Sequence, residues 1–244
     1  QSKTLNSEQL SIENLGLEIS KVVENNLKQT GLFNTLDKDS FLQKPDIAHL
    51  KPRFEDWALI KAQALITGKV TIDKERLKVE FRLWDVLAAK EMMALAFTTV
   101  PSNWRRVGHI ISDKVYERLT GEKGYFDTRI IYVSEEGPKT QRVKKLALMD
   151  QDGKNHRYLT DGRHMALTPR FSPTLQEITY LSFFNDNPRV YIYNIDTGKQ
   201  EVLGDFPGMT SPSVIDVSTV NRYALSSWAS ASALVMRIVV SGTT

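Results

Sequence analysis

Hydrophobic residues recur at helical spacing in three segments of the first half of the chain. These segments cover residues 11–31, about 54–66, and 101–121, and the first and third end on a glycine, a common helix C-cap. Apolar residues three or four positions apart share one face of a helix, so each segment predicts an amphipathic helix. The residues that form these faces are Ile12, Leu15, Ile19, Val22, Val23 and Leu27; Trp57, Ile60 and Ala64; and Trp104, Val107, Ile111, Val115 and Leu119.

Alternating apolar and charged residues predict a strand between the second and third helices. In Leu77–Leu83 every second residue is hydrophobic, which is the pattern of a half-buried strand. Residues 92–100 predict its hairpin partner, and residues 33–36 and 69–72 predict shorter strands. Together these elements predict an α+β fold that begins with a mixed α/β domain, in which helices pack on a small sheet. We place this domain at residues 11–124, after a loose leader at residues 1–10.

From Thr128 onward the pattern changes to short strands separated by turns, and one strand pattern repeats. Residues 130–134 read Ile-Ile-Tyr-Val-Ser, and residues 178–182 read Ile-Thr-Tyr-Leu-Ser. Each copy is followed by a strand that ends in a glycine turn, at Gly153 and Gly198, and then by a further strand. A strand pattern with a period of roughly 40–50 residues is typical of β-propeller blades. Residues 125–210 therefore predict the first blades, about two, of an incomplete all-β propeller.

Residues 211–244 form an atypical Ser-rich tail. They contain eight serines and three charged residues, and the run from Leu234 to Val240 is apolar and β-prone except for Arg237. One hypothesis is that a frameshift or truncation ended the repeat, so that the tail is not native propeller sequence. The alternative is a pair of native strands that are rich in serine. The abrupt change of composition inside a repeat favours the first hypothesis.

Composition and charge exclude some classes of function. The net charge is +3, with 19 basic and 17 acidic residues in 1–124 and 13 and 12 in 125–244. Such balance argues against binding nucleic acid through its phosphates. The sequence has no cysteine, which excludes disulfides and zinc–thiolate sites, and no apolar stretch of ~18 residues that predicts a membrane span. Because Gln1 is not preceded by a Met or a signal sequence, we expect a processed or truncated chain.

Several segments resemble the TolB family. The longest is 104–133, where a helix ending in Leu-Thr-Gly leads through Gly-x-Phe-x-Thr-x-Ile into the first propeller strand. Residues 168–173, Thr-Pro-Arg-Phe-Ser-Pro, are similar to the blade-connecting motif Pro-x-Phe-Ser-Pro-Asp-Gly, although Thr174-Leu175 replaces Asp-Gly. The resemblance covers about residues 12–210 and is notable for alphaproteobacterial members. Further similar segments are Leu27–Phe33, Arg82–Asp85, Leu148–Gly153 and Gly204–Met209.

The resemblance implies a non-catalytic, periplasmic binding component of the Tol-Pal envelope system. Such a component supports outer-membrane integrity and cell division through protein–protein contacts. Its partners would be the peptidoglycan-associated lipoprotein, bound by a six-bladed propeller, and TolA, bound by a segment at the mature N-terminus. The regions that carry these contacts are largely missing from this sequence, so we assign no partner-binding residue and regard the chain as a candidate non-functional fragment.

The alternative function is the propeller part of a prolyl-oligopeptidase-type peptidase that lacks its hydrolase domain. Such peptidases carry similar blades, but they also need a nucleophilic serine on a sharp turn. The sequence contains no Gly-x-Ser-x-Gly motif of this kind. We therefore predict that the chain is not an enzyme.

No set of residues predicts a catalytic, cofactor-binding or metal site. The four histidines, His49, His109, His156 and His164, do not have metal-ligand spacing, and His109 on the third helix predicts a packing or capping role. The segment Asp150-Gln-Asp-Gly153 resembles the start of a calcium loop, but its twelfth position is Asp161 rather than Glu, which favours a hairpin turn.

Charged and aromatic residues also lead to structural predictions. The basic run Lys139, Arg142, Lys144 and Lys145 predicts a solvated hairpin loop. We expect Arg105 and Arg106 to reach a carboxylate such as Glu91. The residues Trp57, Trp84 and Trp104 predict core positions, with contact to the neighbouring propeller as an alternative for Trp84.

Overall fold

The computed structural model describes residues 12–43, 52–73, 75–172, 175–184, 187–204 and 236–243. They divide into two units. The first unit runs up to Asp127 and includes the strand formed by residues 236–243, and the second unit begins at Thr128. None of the helices in these ranges is long and apolar enough to cross a membrane.

A five-stranded mixed sheet forms the centre of the first unit. Four of its strands are β1 (Phe33–Thr35), β2 (Ala64–Asp73), β3 (Arg76–Asp85) and β4 (Lys90–Thr99). The fifth is Met236–Thr243, which we number β12 because seven strands of the second unit precede it. The order is β1-β12-β2-β3-β4, with antiparallel pairs from β2 to β4 and parallel pairs on both sides of β12.

The predicted β3–β4 hairpin is confirmed. Leu77, Val79, Phe81 and Leu83 are all at most 2% exposed. Lys78, between them, is exposed. The alternating pattern was informative because, over Leu77–Leu83, one face of the strand is buried and the other is at least partly exposed.

Two long helices cover the buried face. They are α1 (Ile12–Gln29) and α3 (Trp104–Thr120), and their apolar faces pack with the sheet into one cluster, as predicted. Gly121 ends α3 in a left-handed conformation, with φ of 79°. The cluster consists of Leu15, Ile19, Val23, Leu27, Phe33, Ala64, Ile66, Val70, Leu77, Val79, Phe81, Leu83, Val107, Ile111, Val115, Tyr116 and Phe126.

The second predicted helix is shorter than expected. Helix α2 covers Phe54–Leu59, and Lys61 then adopts a positive φ of 62° before β2 begins at Ala64. Residues 64–67 of β2 are buried on both faces, so the sequence shows no period of two there. A continuous apolar run after a helix looks like more helix, which explains the wrong boundary at Ile66.

A smaller cluster packs on the opposite face of the sheet, around two tryptophans. Trp57 is fully buried, and Trp84 is 9% exposed. Trp84 follows a register shift after Leu83, and its Nε1 donates to Thr67 Oγ1 at 3.0 Å. Both side chains are therefore core residues of the first unit. The cluster also contains Ala62, Leu65 and Val86, with Leu36, Phe41, Phe54 and Ile60 against it.

Strand β12 is an interior strand of this sheet, although its residues belong to the Ser-rich tail of the sequence. Its backbone pairs with β1 through Phe33↔Met236 and with β2 from Ile238↔Ala64 to Thr243↔Lys69. The sequence indicated a β-prone run here but gave no sign of which sheet it joins. The hypothesis that residues 211–244 arose by a frameshift stays a prediction.

Two antiparallel sheets form the second unit. The first contains β5 (Arg129–Glu136), β6 (Val143–Asp150) and β7 (Arg157–Tyr158). The second contains β8 (Ala166–Phe171), β9 (Glu177–Phe184), β10 (Asn187–Asn194) and β11 (Gln200–Gly204), in the order β11-β10-β9-β8. This arrangement after a helix-and-sheet unit confirms the predicted fold class, an α+β chain with an incomplete propeller region.

The predicted repeat corresponds to two matching hairpins. β5 pairs with β6, and β9 pairs with β10, and both hairpins lead into a glycine-containing turn that a backbone hydrogen bond closes. In one turn Asp150 N–H donates to Lys154 O, and in the other Asn194 N–H donates to Lys199 O. Gly153 and Gly198 have φ of 80° and 72°, so both turns need a residue that tolerates the left-handed region.

The core of the second unit lies between its two sheets. It contains Leu146, Leu148, Ala166, Ile178, Tyr180, Tyr191 and Ile195. Tyr180 and Tyr191 stack with ring centroids 5.7 Å apart. Burial raises the pKa of the Tyr180 hydroxyl above its ordinary value, so it stays protonated.

Candidate functional site

The best-defined polar arrangement in the first unit is the segment that leaves α3. After Gly121 the chain turns back along the helix, and the Asp113 carboxylate accepts hydrogen bonds from two of its backbone N–H groups. The distances are 2.6 Å from Phe126 N and 3.1 Å from Asp127 N. One helical side chain thus holds the backbone of the junction, the name we use for residues 121–127.

Gly124 makes this approach possible. A Cβ at this position would lie 2.4 Å from both Cα and Oδ1 of Asp113, a distance that real side chains essentially never adopt. The glycine in the Gly-x-Phe motif is thus explained by close packing of the junction against α3. The motif is visible in the sequence, but the role of Asp113 is not, because its partners are backbone groups with no sequence signature.

Aromatic packing and an ion pair also fix the junction. Phe126 is 1% exposed and meets Tyr116 edge-on, with ring centroids 5.8 Å apart. Arg106 Nε lies 3.2 Å from Asp127 Oδ1. The prediction that Arg105 and Arg106 reach a carboxylate is therefore confirmed for Arg106, but the carboxylate is that of Asp127. Glu91, the example expected, pairs with Arg82 at 3.2 Å on the sheet, and Arg105 lies over the ring of Trp104.

The electrostatics of the junction follow from its partial burial. Desolvation raises the pKa of Asp113, and this effect outweighs the two backbone hydrogen bonds, which lower it. Burial also raises the pKa values of Tyr116 and Tyr125. The two hydrogen bonds that the Asp113 carboxylate accepts both come from the backbone of the junction, so this carboxylate positions the chain.

A ladder of charges crosses the β5–β6 hairpin in the second unit. Glu135 pairs with Arg142 at 2.5 Å and with Lys144 at 2.8 Å, and Glu136 pairs with Lys145 at 2.9 Å. Hydrogen bonds from Lys144 and then Arg142 lower the pKa of Glu135, and those from the Tyr158 hydroxyl and then Lys145 lower the pKa of Glu136. The predicted basic run therefore lies opposite acidic residues, which reduces its attraction for an acidic partner.

The described histidines occupy unrelated places. His109 is 2% exposed, and its Nδ1 lies 2.9 Å from Nδ2 of Asn26, which also donates to Ser112 Oγ at 2.9 Å. The predicted packing role of His109 fits this buried bridge between α3 and α1. His156 meets Tyr158 edge-on, with ring centroids 4.8 Å apart. His164 is exposed, and His49 lies outside the described residues.

The Asp150–Gly153 segment forms a tight hairpin turn. Gly153 N–H donates to Asp150 O at 2.9 Å, and Lys154 N–H donates to Asp152 Oδ1 at 3.1 Å. Asn155 Nδ2 donates to Asp150 Oδ2 at 2.6 Å. The aspartates thus take part in local turn bonds of the kind expected from the sequence.

Comparisons with known proteins cover both units. A family model described as the TolB amino-terminal domain matches residues 3–92, and one described as the TolB beta propeller domain matches residues 116–218. The Tol-Pal system protein TolB of Pelagibacter ubique (strain HTCC1062) is 77% identical over 201 residues, which are 82% of this chain and 45% of that protein.

A solved structure agrees with these matches. The crystal structure of TolB from Acinetobacter baumannii is similar, with a TM-score of 0.68 and 27% identity, over 79% of this chain and 47% of that one. The chain therefore spans less than half the length of either relative. The match to the propeller-domain model begins at residue 116 and so includes the junction.

Proposed function

Because this chain belongs to the TolB family, we propose that it is a component of a Tol-Pal system. The observation that carries the proposal is the 77% identity over 201 residues to a Tol-Pal system protein. We propose that it acts in the periplasm, without catalysis, through protein–protein contacts that support outer-membrane integrity and cell division.

The junction supports a role as a positioning element within such a protein. Asp113, Gly124 and Phe126 fix how the backbone leaves α3 before the first blade strand, β5, begins at Arg129. These contacts hold backbone in place within the first unit, which is a structural role of the kind that a non-catalytic binding protein uses. The proposed partners are the peptidoglycan-associated lipoprotein and TolA, and we assign neither of them to a named residue.

A chimera tests the proposal in a full-length context. Residues 12–204 would replace the matching segment of the Pelagibacter ubique protein, and the chimera would be expressed in an alphaproteobacterium depleted of its own TolB. We expect normal resistance to detergent and no leakage of periplasmic proteins, because the replaced segment keeps the junction and the first blades. Capture of the peptidoglycan-associated lipoprotein by the chimera would be measured in parallel.

A matched control separates function from folding. The same chimera with Lys78→Thr, an exposed change on β3, should behave like the unmodified chimera. If the unmodified chimera is stable and secreted but neither restores the envelope nor captures the lipoprotein, the proposal fails. Hydrolysis of a chromogenic prolyl peptide by the purified chain would contradict the non-catalytic part and favour the peptidase alternative.

A further inference from the structure

Strand β12 lies between β1 and β2, and both neighbours make backbone hydrogen bonds with it. β1 pairs with β12 alone among the described strands, and β2 pairs with β12 on one side and β3 on the other. Neighbouring strands lie about 4.8 Å apart, so without residues 236–243 a gap of about 9.6 Å would separate β1 from β2. The backbone groups of both strands would line that gap.

The strands that line this gap are buried in the complete sheet. Ala64, Leu65, Ile66 and Thr67, the residues of β2 beside β12, are at most 3% exposed, and α1 packs against both strands. Buried backbone N–H and C=O groups require hydrogen-bond partners. An extended segment that runs parallel to both neighbours satisfies both rows of groups, and β12 has this geometry.

The covalent connection does not require that the segment come from the same molecule. About thirty residues separate the end of β11 at Gly204 from the start of β12 at Met236. Such a length spans up to roughly 100 Å when extended. The segment itself contains Ile238, Val239 and Val240, β-branched residues that favour extended backbone, and no acidic residue.

We propose that the gap between β1 and β2 is a strand-binding groove, and that residues 236–243 of a second copy of the chain occupy it in exchange for the chain's own strand. Recognition rests on parallel backbone pairing with both neighbours. The groove therefore takes a β-branched, extended segment and rejects one that cannot donate along its backbone. This proposal goes beyond membership of a Tol-Pal system and does not depend on it.

A labelled peptide with the sequence of residues 236–243 is the first probe, used with the full chain. The tethered strand competes at an effective concentration in the millimolar range, so the unmodified chain should bind the peptide weakly. Val239→Pro removes one backbone donor from the chain's own strand and frees the groove. We expect the peptide to bind this variant about tenfold more tightly, because more of the grooves are empty. A peptide that itself carries the proline should not bind either protein.

A disulfide lock provides the matched control. Lys69 and Thr243 are register partners, and the sequence has no other cysteine, so Lys69→Cys with Thr243→Cys can form one defined bridge. The oxidised variant should bind no peptide, and reduction should restore the affinity of the unmodified chain. Equal binding in the oxidised and reduced states would overturn the proposal.

Exchange between copies is tested with the same variants. After partial unfolding and refolding at high protein concentration, the unmodified chain should yield a dimer, and the chain oxidised before this treatment should stay monomeric. A dimer that survives the lock, or no dimer at all, would contradict exchange. If Val239→Pro unfolds the first unit, added peptide should restore its circular dichroism, and failure to restore it counts against the groove.

Discussion

Individual residues at the junction show how one carboxylate can organise a backbone turn. The Asp113 carboxylate accepts hydrogen bonds from the N–H groups of Phe126 and Asp127. Sequence patterns report which faces are apolar, but they do not report which backbone groups a side chain reaches. Gly124 was therefore visible in the sequence as a motif, whereas its reason, the contact with Asp113, was not.

Substitution of Gly124 tests this packing. Gly124→Ala places a Cβ 2.4 Å from the Asp113 backbone, so the junction must move and its two hydrogen bonds weaken. We expect the free energy of unfolding to fall by about 2–3 kcal/mol. Urea unfolding followed by tryptophan fluorescence would measure the change.

Gly121→Ala is the control for that experiment. Gly121 has a positive φ of 79° but no atom within 4 Å of an added Cβ. Its replacement should cost only about 1 kcal/mol, from backbone conformation alone. If the two alanine variants lose equal stability, close packing at Gly124 does not matter.

The raised pKa of Asp113 gives a pH dependence with a definite sign. An acid whose pKa is higher in the folded state than in the unfolded state binds more protons when folded. The favourable contribution of Asp113 to the free energy of unfolding is fully present below the ordinary pKa of 3.8. It declines as the pH rises through the raised pKa. Asp113→Asn cannot titrate.

Comparison of the unmodified chain with Asp113→Asn isolates the pH dependence that comes from the Asp113 carboxyl. The stability of the unmodified chain relative to Asp113→Asn should decrease as the pH rises across that window and become constant above it. Urea unfolding at a series of pH values from about 3 to about 7 would measure it. A relative stability that increases with pH would show that hydrogen bonding to the carboxylate outweighs its desolvation.

Among the elements, the amphipathic ones were predicted well and the fully buried ones were not. α1, α3 and β3 each expose one face, so their sequences carry a period that identifies them. The start of β2 is buried on both faces and has no period, so it was assigned to the preceding helix. The two blade hairpins were found because their turns repeat as well as their strands.

Strand β3 allows a direct test of its two faces. Val79→Thr keeps the side-chain shape but buries a hydroxyl among α1 and sheet residues, so it should cost about 1–3 kcal/mol of stability. Lys78→Thr changes the neighbouring exposed position and loses only a surface pair with Glu80, so it should cost at most about 0.5 kcal/mol. Equal effects in urea unfolding would mean that the two faces of β3 are not buried differently.

For the whole molecule, the sheet of the first unit is assembled from segments far apart in sequence. The family resemblance predicted the two kinds of domain and the order in which they occur. It could not predict β12, because residues 236–243 lie beyond the segment that resembles the family and their pairing depends on tertiary contacts alone.

Hydrogen exchange measured by mass spectrometry on the full chain would test whether β12 belongs to the sheet of the first unit. Val239→Pro should speed exchange in β1 and in the first half of β2, because both lose pairing with β12. Exchange in β9 and β10 should not change, because these strands pair within the second unit. Faster exchange in β9 and β10 alone would contradict the assignment of β12 to the first sheet.

The place of β12 also constrains how the protein is made. A ribosome completes residues 12–127 early, but β12, an interior strand of their sheet, emerges only after roughly a hundred further residues. At a synthesis rate of about 5–20 residues per second, the unfinished sheet waits for about 5–20 s, with β2 unpaired on one side. During that interval the nascent chain offers an exposed strand edge, which makes it a substrate for chaperones and for premature association with other nascent chains.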